Sequence, residues 1–297
     1  MPALHELLDR AERFARRPRW QRWLMRPWKY LAGLGMARIV YPITRRPVAV
    51  RARAFYGADL RVPLPAGLDI YLTGLKAHDS EMRLTRYLIG LLRPGMSAID
   101  AGAHLGYYAL LMARCVGPAG RVAAFEPSRS MATWLGKNTA GFPQLNVEPR
   151  ALGQPGQTAV FYEYAAKYSE YNTTVHVHEV PVRMQRQIAM IDLDSYCNRY
   201  RLRPDLIKID VEGGEHDVIL GGSQLLIEQS PVVVIELRID QYHDLYRRVV
   251  EEMRGMGYQA CRIDRQGQLI PETDVHGALI ASGLESDNFV FVRAVGR

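Results

Sequence analysis

The sequence predicts an α/β protein whose mostly parallel sheet carries helices on both faces, preceded by an N-terminal helical and β extension. From residue 97 onward, strand patterns alternate with helix patterns, which is typical of a parallel sheet. Two strand patterns close the chain at 258–264 and 288–294, with no helix pattern between them. We therefore expect an antiparallel hairpin at the C-terminal edge of the sheet.

The first third of the chain has its own organisation. Its predicted elements are a helical stretch at 3–40, short strands at 48–65 and 68–74, and a helix at 80–92 that stops at Arg93-Pro94-Gly95. We divide the chain into a basic N-terminal region of helices and short strands at 1–66 and a main domain at 67–297.

The main domain then alternates between the two patterns. Predicted strands lie at 97–102, 121–127, 145–152, 158–165, 206–213 and 231–237, before the two closing strands. Predicted helices lie at 107–116, 129–140, 216–229 and 244–257. In such a sheet a ligand binds beyond the carboxyl ends of the strands.

Basic residues are concentrated at one end of the chain. The formal net charge is +7, yet residues 1–60 hold 13 Arg or Lys against four acids, a local charge of +9. Such asymmetry indicates an anionic partner: a membrane surface, a nucleic acid or a phosphorylated substrate. In 10–31 the arginines are interleaved with Trp20, Trp23 and Trp28. Two interpretations stay open, a helix on an anionic membrane surface and a cap whose tryptophans pack on the main domain.

The chain lacks an evident targeting peptide and an apolar run long enough to cross a bilayer. Its three cysteines are far apart and form no CxxC, which fits a reducing compartment. We expect a cytoplasmic protein. The basic region suggests an alternative location, a peripheral position at the inner membrane surface. The oligomeric state has no sequence signal.

A glycine turn follows the first strand of the main domain. Its spacing is Asp100-x-Gly102-x-x-x-Gly106, with His104 where a dinucleotide-binding turn has its second glycine. A side chain there argues against a pyrophosphate. S-adenosylmethionine fits better, because Asp100 can serve its ammonium, helix N–H groups its carboxylate, and Glu126 its ribose hydroxyls.

Six motifs in order resemble the FkbM family of S-adenosylmethionine-dependent methyltransferases. They are "AIDAGAHLGYYALLMA", "VAAFEPS", "LNVEPRALG", "IDLDSYC", "LIKIDVEGGEHDVI" and "PVVVIEL", followed by "NFVFV", within a match that runs from about Leu68 to Arg293. The resemblance implies a Rossmann-like class I methyltransferase sheet and transfer of a methyl group to a hydroxyl, commonly on a sugar or other secondary metabolite. The clearest departure is His104, where the family usually has asparagine.

The resemblance also implies which residues hold the cofactor. They are Asp100, Gly102, His104, Gly106, Tyr107, Glu126, Pro127, Ala151, Leu152 and Asp210.

Charged residues alternate with apolar ones in the segment 204–220. On a strand, Lys208, Asp210 and Glu212 would share one face and reach its carboxyl end. Asp210 and Glu212 are our leading candidates for orienting or deprotonating the acceptor hydroxyl, with His216 as a further candidate. Glu236 ends the next strand and should face the same crevice.

Two other interpretations of these charges stay open. Lys208, Asp210, Glu212 and Glu236 would make a structural ion-pair network, or the three acids would bind Mg²⁺. We do not predict a metal, because spacing alone cannot show coordination.

Acceptor recognition is expected in the loop 160–180 and beside the charged strand. Candidate substrate contacts are Lys208, Glu236, Tyr168, Tyr171 and Asn172. The favoured function is O-methylation of a sugar or glycan, free or carried on a lipid or phosphate. One alternative is nucleic-acid methylation, although the sequence lacks the Asn/Asp-Pro-Pro-aromatic motif of enzymes that methylate base amino groups. The other alternative is a cofactor-binding scaffold without turnover.

Overall fold

The computed structural model describes residues 3–164, 173–174, 182–239 and 243–293. Its first elements are α1 (Leu4–Ala15), α2 (Arg19–Met25), α3 (Pro27–Gly35), a π-helical turn (Met36–Val40), α4 (Tyr41–Thr44), β1 (Val48–Arg53), β2 (Asp59–Leu64), α5 (Leu68–Thr73) and α6 (Asp79–Leu91). β1 and β2 form an antiparallel pair.

The main domain continues the series of elements. They are β3 (Ser97–Ala101), α7 (Tyr107–Val116), β4 (Arg121–Phe125), α8 (Arg129–Thr139), β5 (Leu145–Glu148), β6 (Ala151–Leu152), β7 (Thr158–Tyr164), β8 (Val182–Ile191), α9 (Leu193–Tyr200), β9 (Leu206–Ile209), α10 (Glu215–Leu220), α11 (Ser223–Gln229), β10 (Val232–Arg238), α12 (His243–Gly255), β11 (Tyr258–Ile263), β12 (Leu269–Pro271), α13 (Val275–Ser282) and β13 (Ser286–Arg293).

An eight-stranded sheet forms the centre of the main domain, in the order β12-β11-β13-β10-β9-β3-β4-β5. The neighbours from β10 to β5 pair in parallel. Two separate apolar cores cover the two faces, one containing α6 and α7 and the other α9 to α12. The predicted α/β architecture, with a mostly parallel sheet between helical layers, is confirmed.

The predicted antiparallel C-terminal edge is confirmed, because the two closing strands, β11 and β13, pair antiparallel, but its connection and strand order are more elaborate than a simple hairpin. β13 lies between β10 and β11 and is antiparallel to both, and the edge strand is β12. A helix, α13, also separates the two closing strands. The sequence of α13, VHGALIAS, is apolar on most sides, so it has no amphipathic period that would have revealed the helix.

Residues 68–74, predicted as a strand, form helix α5 instead. Leu68, Ile70 and Leu72 alternate as they would on a strand, but a six-residue apolar window cannot separate the two periods. The helix ends at Gly74, whose φ of 86° is the left-handed conformation that closes helices. Its Ile70 and Leu72 are buried in the fold.

Two longer predicted elements are interrupted. The strand predicted at 206–213 ends at Ile209, and the helix predicted at 216–229 is divided into α10 and α11 by Gly221-Gly222. A Cβ on Gly221 would lie 2.0 Å from the carbonyl oxygen of Gly153, so the close approach of these backbones requires glycine here.

A smaller three-stranded sheet adjoins the carboxyl edge of the main one. Its order is β6-β8-β7, with β6 parallel and β7 antiparallel to β8. The strand predicted at 145–152 is therefore two strands, β5 and β6, which belong to different sheets. Phe161 on β7 is buried and faces the cleft described below.

The N-terminal region packs on the main domain through α1, β1 and β2. Leu8 is fully buried in the same apolar core as α6 and α7. Arg86 on α6 pairs with Asp9 at 2.6 Å and Glu12 at 3.1 Å. The Tyr56 hydroxyl donates to the carbonyl of Tyr107 at 2.8 Å. The boundary at 66/67 stays a prediction, but the two regions share one core.

The tryptophans of this region are exposed. Trp20, Trp23 and Trp28 are 63%, 42% and 81% exposed. This exposure argues against the interpretation of residues 10–31 as a cap whose tryptophans pack on the main domain, and favours the alternative of a helix on a membrane surface. Among the described residues, no helix is long and apolar enough to cross a membrane.

Candidate active site

A cleft of about 600 Å³ opens at the carboxyl ends of β3, β4, β9 and β10. Residues from the ends of all four strands line it, as do the beginnings of α6 and α7 and the strand β6. The site thus lies where the sequence predicts it, because parallel strands bring their carboxyl ends to one edge of the sheet.

The glycine turn after β3 brings the backbone against the next loop. The amides of Gly102 and Ala103 both donate to the carbonyl of Phe125, at 3.0 and 2.9 Å. Gly102 has φ 82°, and a Cβ there would lie 1.7 Å from the carbonyl oxygen of Asp210. Only glycine fits both the dihedral angle and the space.

His104, the departure from the family pattern, has a positive φ of 49°. Asparagine and histidine are both enriched in this left-handed region, so the backbone accounts for either residue. The amide of His104 donates to Oε2 of Glu126 at 2.8 Å. Burial, and secondarily the charge of Lys76, lower the pKa of His104 to about 4, so the imidazole is neutral at pH 7.

Asp100, at the end of β3, is 1% exposed, and its carboxylate oxygens have no side-chain hydrogen-bond partner among the described residues, although the backbone amide of Ala109 at the start of α7 acts to lower its pKa. The nearest cation is Lys208, whose Nζ lies 3.8 Å from Oδ1. Burial raises the pKa of Asp100, although Lys208 acts in the opposite direction. This carboxylate is short of donors and would gain from a cationic ligand.

Glu126, after β4, is 5% exposed, and each carboxylate oxygen accepts one backbone hydrogen bond at 2.8 Å, from Ser128 and from His104. Burial raises the pKa of Glu126 to about 7. Every carboxylate oxygen has a second acceptor site, so two hydroxyls can still donate to it. Pro127, Ala151 and Leu152 line the cleft beside it, as do Gly102 and Tyr107.

Lys208, buried on β9, and Asp210, directly after that strand, form an ion pair at the carboxyl end of β9. Lys208 is 2% exposed, and its Nζ donates to Oδ2 of Asp210 at 2.8 Å. Burial disfavours the charged form of Asp210, but Lys208 and then Lys76 more than offset that effect and lower its pKa. Asp210 is therefore ionised at neutral pH.

Glu236, at the end of β10, faces the same cleft and accepts a hydrogen bond from the Ser286 hydroxyl at 2.5 Å. Burial and the neighbouring charge of Asp210 raise its pKa well above the ordinary value. Two carboxyls that share a low-dielectric site do not both ionise. The charged form is therefore favoured at Asp210, whereas the protonated form is favoured at Glu236.

Glu212 does not continue the charged face of the strand, because the strand ends at Ile209. It has φ 56°, lines the cleft, and lies 3.4 Å from Nη1 of Arg238. The Thr173 hydroxyl donates to its carbonyl. Among the described residues, no group of three or more His, Cys, Asp or Glu side chains is placed to hold a metal ion, and the Mg²⁺ interpretation of Asp210, Glu212 and Glu236 stays a hypothesis.

The remaining candidates have different placements. His216 lies on α10 and is not among the residues that line the cleft. Tyr168, Tyr171 and Asn172 lie outside the described residues. Thr174 of the same predicted acceptor loop lines the cleft.

Sequence reasoning missed Glu215, the buried acid that shapes the loop after β9. It is 1% exposed and accepts hydrogen bonds from the amides of Val211 at 3.1 Å and Gly213 at 2.9 Å. Burial raises its pKa to about 7. Its sequence signal was available, since an acid in the first turn of a helix, directly after Gly213-Gly214, is typical of an N-terminal capping residue.

A second missed group consists of side chains from the segment before α6, from the first turn of α6 and from the first turn of α7. Lys76 donates to Glu81 at 2.6 Å, the Tyr108 hydroxyl donates to the other Glu81 oxygen, and Lys76 lies 5.2 Å above the Tyr108 ring. Lys76, Glu81 and Tyr108 all line the cleft. No local pattern marks them, because the tertiary fold alone brings α6 to the edge of the sheet.

Residues 100–260, more than half of the chain, match the family model of the methyltransferase FkbM domain. The chain belongs to the FkbM methyltransferase family. The resemblance seen in the sequence is thus confirmed. The match begins at Asp100 and includes the glycine turn, Glu126 and the Lys208–Asp210 pair. The segment that matches the family therefore contributes these residues to the cleft.

The solved structures to which this chain is similar are distant in sequence. A methyltransferase FkbM from Methylobacillus flagellatus KT is 17% identical over 76% of this chain and 52% of that chain, with a TM-score of 0.45. This chain therefore spans about half the length of that protein.

Two other distant structures have different described activities. A putative rRNA methylase from Clostridium thermocellum is 11% identical over 75% of this chain and 99% of that one, with a TM-score of 0.43. An SAM-dependent O-methyltransferase from Thermotoga maritima is 11% identical over 84% and 78%, with a TM-score of 0.41. No curated protein matches the sequence. The residues of the cleft are therefore the evidence for the substrate.

Proposed function

We propose that the chain is an S-adenosylmethionine-dependent O-methyltransferase that acts on a hydroxyl of a sugar, a glycan or a glycosylated metabolite. The observation that carries the proposal is Asp100, a buried carboxylate without a side-chain hydrogen-bond partner among the described residues, next to a glycine turn that leaves no room for a side chain. A ligand with an ammonium and a sulfonium matches this donor-poor, negatively charged pocket.

The surrounding residues fit the other parts of that molecule. Glu126 has acceptor capacity for two ribose hydroxyls, and Ala151 and Leu152 offer an apolar flank for an adenine ring. The amides at the start of α7 favour a carboxylate. When bound, S-adenosylmethionine supplies a methyl group on a positively charged sulfur, which activates that group for transfer.

Asp210 is the residue to which we assign the acceptor hydroxyl. Its carboxylate is ionised and is fixed by Lys208, yet it has acceptor sites beyond that hydrogen bond. Because its pKa is low, Asp210 is a weak base. It orients the hydroxyl and takes the proton as the oxygen becomes acidic during transfer, and Glu212, which also lines the cleft, is the other candidate.

The acceptor side of the cleft is rich in hydrogen-bonding groups. Lys76, Glu81, Glu236, Arg238 and Ser286 line it. Such a wall suits a polyhydroxyl acceptor, and the two basic side chains suit one that is linked to a phosphate or carried on a lipid phosphate. The three free cysteines support a cytoplasmic location for the reaction.

The test is methyl transfer with radiolabelled S-adenosylmethionine and a panel of free, phosphorylated and lipid-linked sugars. We expect transfer to a sugar hydroxyl, lost in Asp210→Asn but retained in Asp217→Asn, a matched change on α10 outside the cleft. Asp100→Asn should weaken cofactor binding about 10- to 100-fold in calorimetry, the loss expected for one charge-assisted contact.

Three outcomes would contradict the proposal. Transfer to RNA or DNA but to no sugar would identify a nucleic-acid methyltransferase. Cofactor binding without transfer to any acceptor, insensitive to Asp210→Asn, would identify a scaffold. An absence of cofactor binding would remove the enzymatic interpretation altogether.

A further inference from the structure

Large apolar side chains are exposed over one continuous stretch of the N-terminal region. Nine of the 15 exposed large hydrophobic residues of the described chain lie between positions 20 and 43. They are Trp20, Trp23, Leu24, Met25, Trp28, Leu31, Ile39, Val40 and Ile43. We call the surface of α2, α3, the π-helical turn and α4 that carries them the N-terminal face.

The spacing of these residues separates an inner and an outer apolar side. From α3 to α4 the buried positions are Tyr30, Gly33, Ala37 and Tyr41, which recur every three to four residues. On the opposite side of the same helical path, Trp28, Leu31, Ile39 and Ile43 are exposed. A helix that is apolar on both sides ordinarily has both sides covered, so the outer side requires a partner.

The charge of the segment defines that partner. Residues 16–46 contain nine arginines and lysines and no acid. Exposed arginines such as Arg19, Arg38 and Arg46 lie at positions interspersed among the apolar ones. Tryptophan and aliphatic side chains bordered by arginine are the composition of elements that lie in the interface of an anionic bilayer.

We propose that the N-terminal face binds an anionic lipid bilayer, with its aromatic and aliphatic side chains inserted at the headgroup level and its arginines on lipid phosphates. A nucleic acid would use the arginines but has no counterpart for Leu24, Leu31, Ile39 and Ile43. A second copy of the chain would cover the apolar side but would set the same uncompensated positive charges against one another across a symmetric interface.

Helix α5 connects this face with the cleft. Tyr71 of α5 packs against Gly33 of α3, and Lys29 lies 5.0 Å above the Tyr71 ring. The two residues that precede Tyr71 in the same helix, Asp69 and Ile70, line the cleft. If the chain binds a bilayer through its N-terminal face, only the short helix α5 would lie between the bilayer-binding elements and the cleft.

The experiment is co-sedimentation of the full chain with vesicles of phosphatidylcholine alone or mixed with phosphatidylglycerol. We expect binding to the mixed vesicles, weak binding to the neutral ones, and a loss of binding as salt is added. Three of the four tryptophans are Trp20, Trp23 and Trp28. Their emission should shift to the blue on binding and be quenched by brominated lipid.

Two sets of variants separate the apolar and the electrostatic contributions. Trp28→Ser with Ile43→Ser, at 81% and 77% exposure, should lower the partition coefficient at least about tenfold. Its control is Ile227→Ser with Ile280→Ser, which are 49% and 53% exposed elsewhere on the surface.

The charge variant is the triple Arg19→Gln, Arg38→Gln, Arg46→Gln, for which a loss of roughly 10²-fold is expected. Its control is Arg203→Gln, Arg248→Gln, Arg265→Gln, three exposed arginines of the main domain. Unchanged thermal melting would show that each variant is folded.

Four results would overturn the proposal. They are an absence of sedimentation with anionic vesicles, equal losses in the control variants, binding of RNA in place of vesicles, and a dimer that Trp28→Ser with Ile43→Ser converts to a monomer. None of these results depends on methyl transfer, so the test is independent of the proposed enzymatic activity.

Discussion

At the scale of single residues, the acids of the cleft differ in charge because their neighbours differ. Asp210 has Lys208 at 2.8 Å, which favours its charged form, whereas burial and the charge of Asp210 raise the pKa of Glu236. Glu126 and Glu215 each accept backbone hydrogen bonds, but burial dominates and raises the pKa of both to about 7. Local contacts, and not residue type, decide which acid accepts and which donates a proton.

Glu126 should make the free energy of unfolding depend on pH. Its pKa is raised from 4.5 to about 7 in the fold, so its contribution is complete below pH 4.5 and is lost as the pH rises to about 7. Glu126→Gln removes this titration. In urea unfolding, the free energy of unfolding of the wild type minus that of the variant should fall by on the order of 2–3 kcal/mol across that pH range.

The comparison isolates Glu126 from His104, whose lowered pKa gives the opposite slope in both proteins. Glu228→Gln, an exposed acid on α11, is the control and should leave the slope unchanged. A difference in unfolding free energy between the wild type and Glu126→Gln that does not change with pH would contradict the raised pKa of Glu126.

Gly102 should be the least replaceable glycine of the turn. In Gly102→Ala the new Cβ would meet the Asp210 carbonyl and impose a side chain on φ 82°. We expect a loss of about 2–4 kcal/mol in the free energy of unfolding and loss of cofactor binding.

The matched change is Gly136→Ala in helix α8, where a Cβ meets nothing within 4 Å. Helix propensity predicts that this variant gains about 0.5–1 kcal/mol. Equal effects of the two substitutions in chemical denaturation would rule out the steric explanation.

At the scale of elements, the backbone of the loop between β9 and α10 is bound by the side chain of Glu215. The Glu215 carboxylate binds the amides of Val211 and Gly213 and so fixes the direction in which Asp210 and Glu212 leave the strand. Gly213 has φ 104°, which allows the tight reversal. Glu215 is a positioning residue, since it acts on the cleft through this backbone.

Glu215→Gln should impair this positioning without removing the fold. An amide nitrogen would face a backbone N–H, so one hydrogen bond is lost, at about 1–3 kcal/mol of stability. We expect kcat to fall at least about tenfold with little change in the Kd of the cofactor.

Glu215→Asp, which keeps the carboxylate, should restore part of kcat, and Glu228→Gln is the surface control. A purely structural role would instead lower stability and leave kcat of the folded fraction unchanged.

At the scale of the whole molecule, the N-terminal region and the main domain share one core. Leu8→Ala removes a fully buried side chain of that core and should cost about 2–4 kcal/mol. Calorimetry should show a single transition at lower Tm, because α1 cannot detach without exposing the surface of α6.

Leu24→Ala, at 61% exposure, is the control and should leave Tm nearly unchanged. A separate low-temperature transition in Leu8→Ala would instead show that residues 1–66 unfold as an independent unit.

Local patterns in the sequence were sufficient for most of the architecture. The alternating elements, the helix Tyr107–Val116 and the glycine turn follow from periods of two or 3.6 residues and from short spacings. Residues near one another in the chain determine such features, so the family motifs and the edge of the sheet that carries the cleft were predictable.

Features that depend on contacts between distant segments were not predictable. α5 was misassigned because burial from two sides selected a helix in a window too short to show a period. The turn of Glu212 toward Arg238, the placement of Lys76 and Glu81 in the cleft, and the exposure of the tryptophans also depend on the assembled chain. Periodicity shows that a side chain is apolar or charged, but only packing between remote segments determines what it faces.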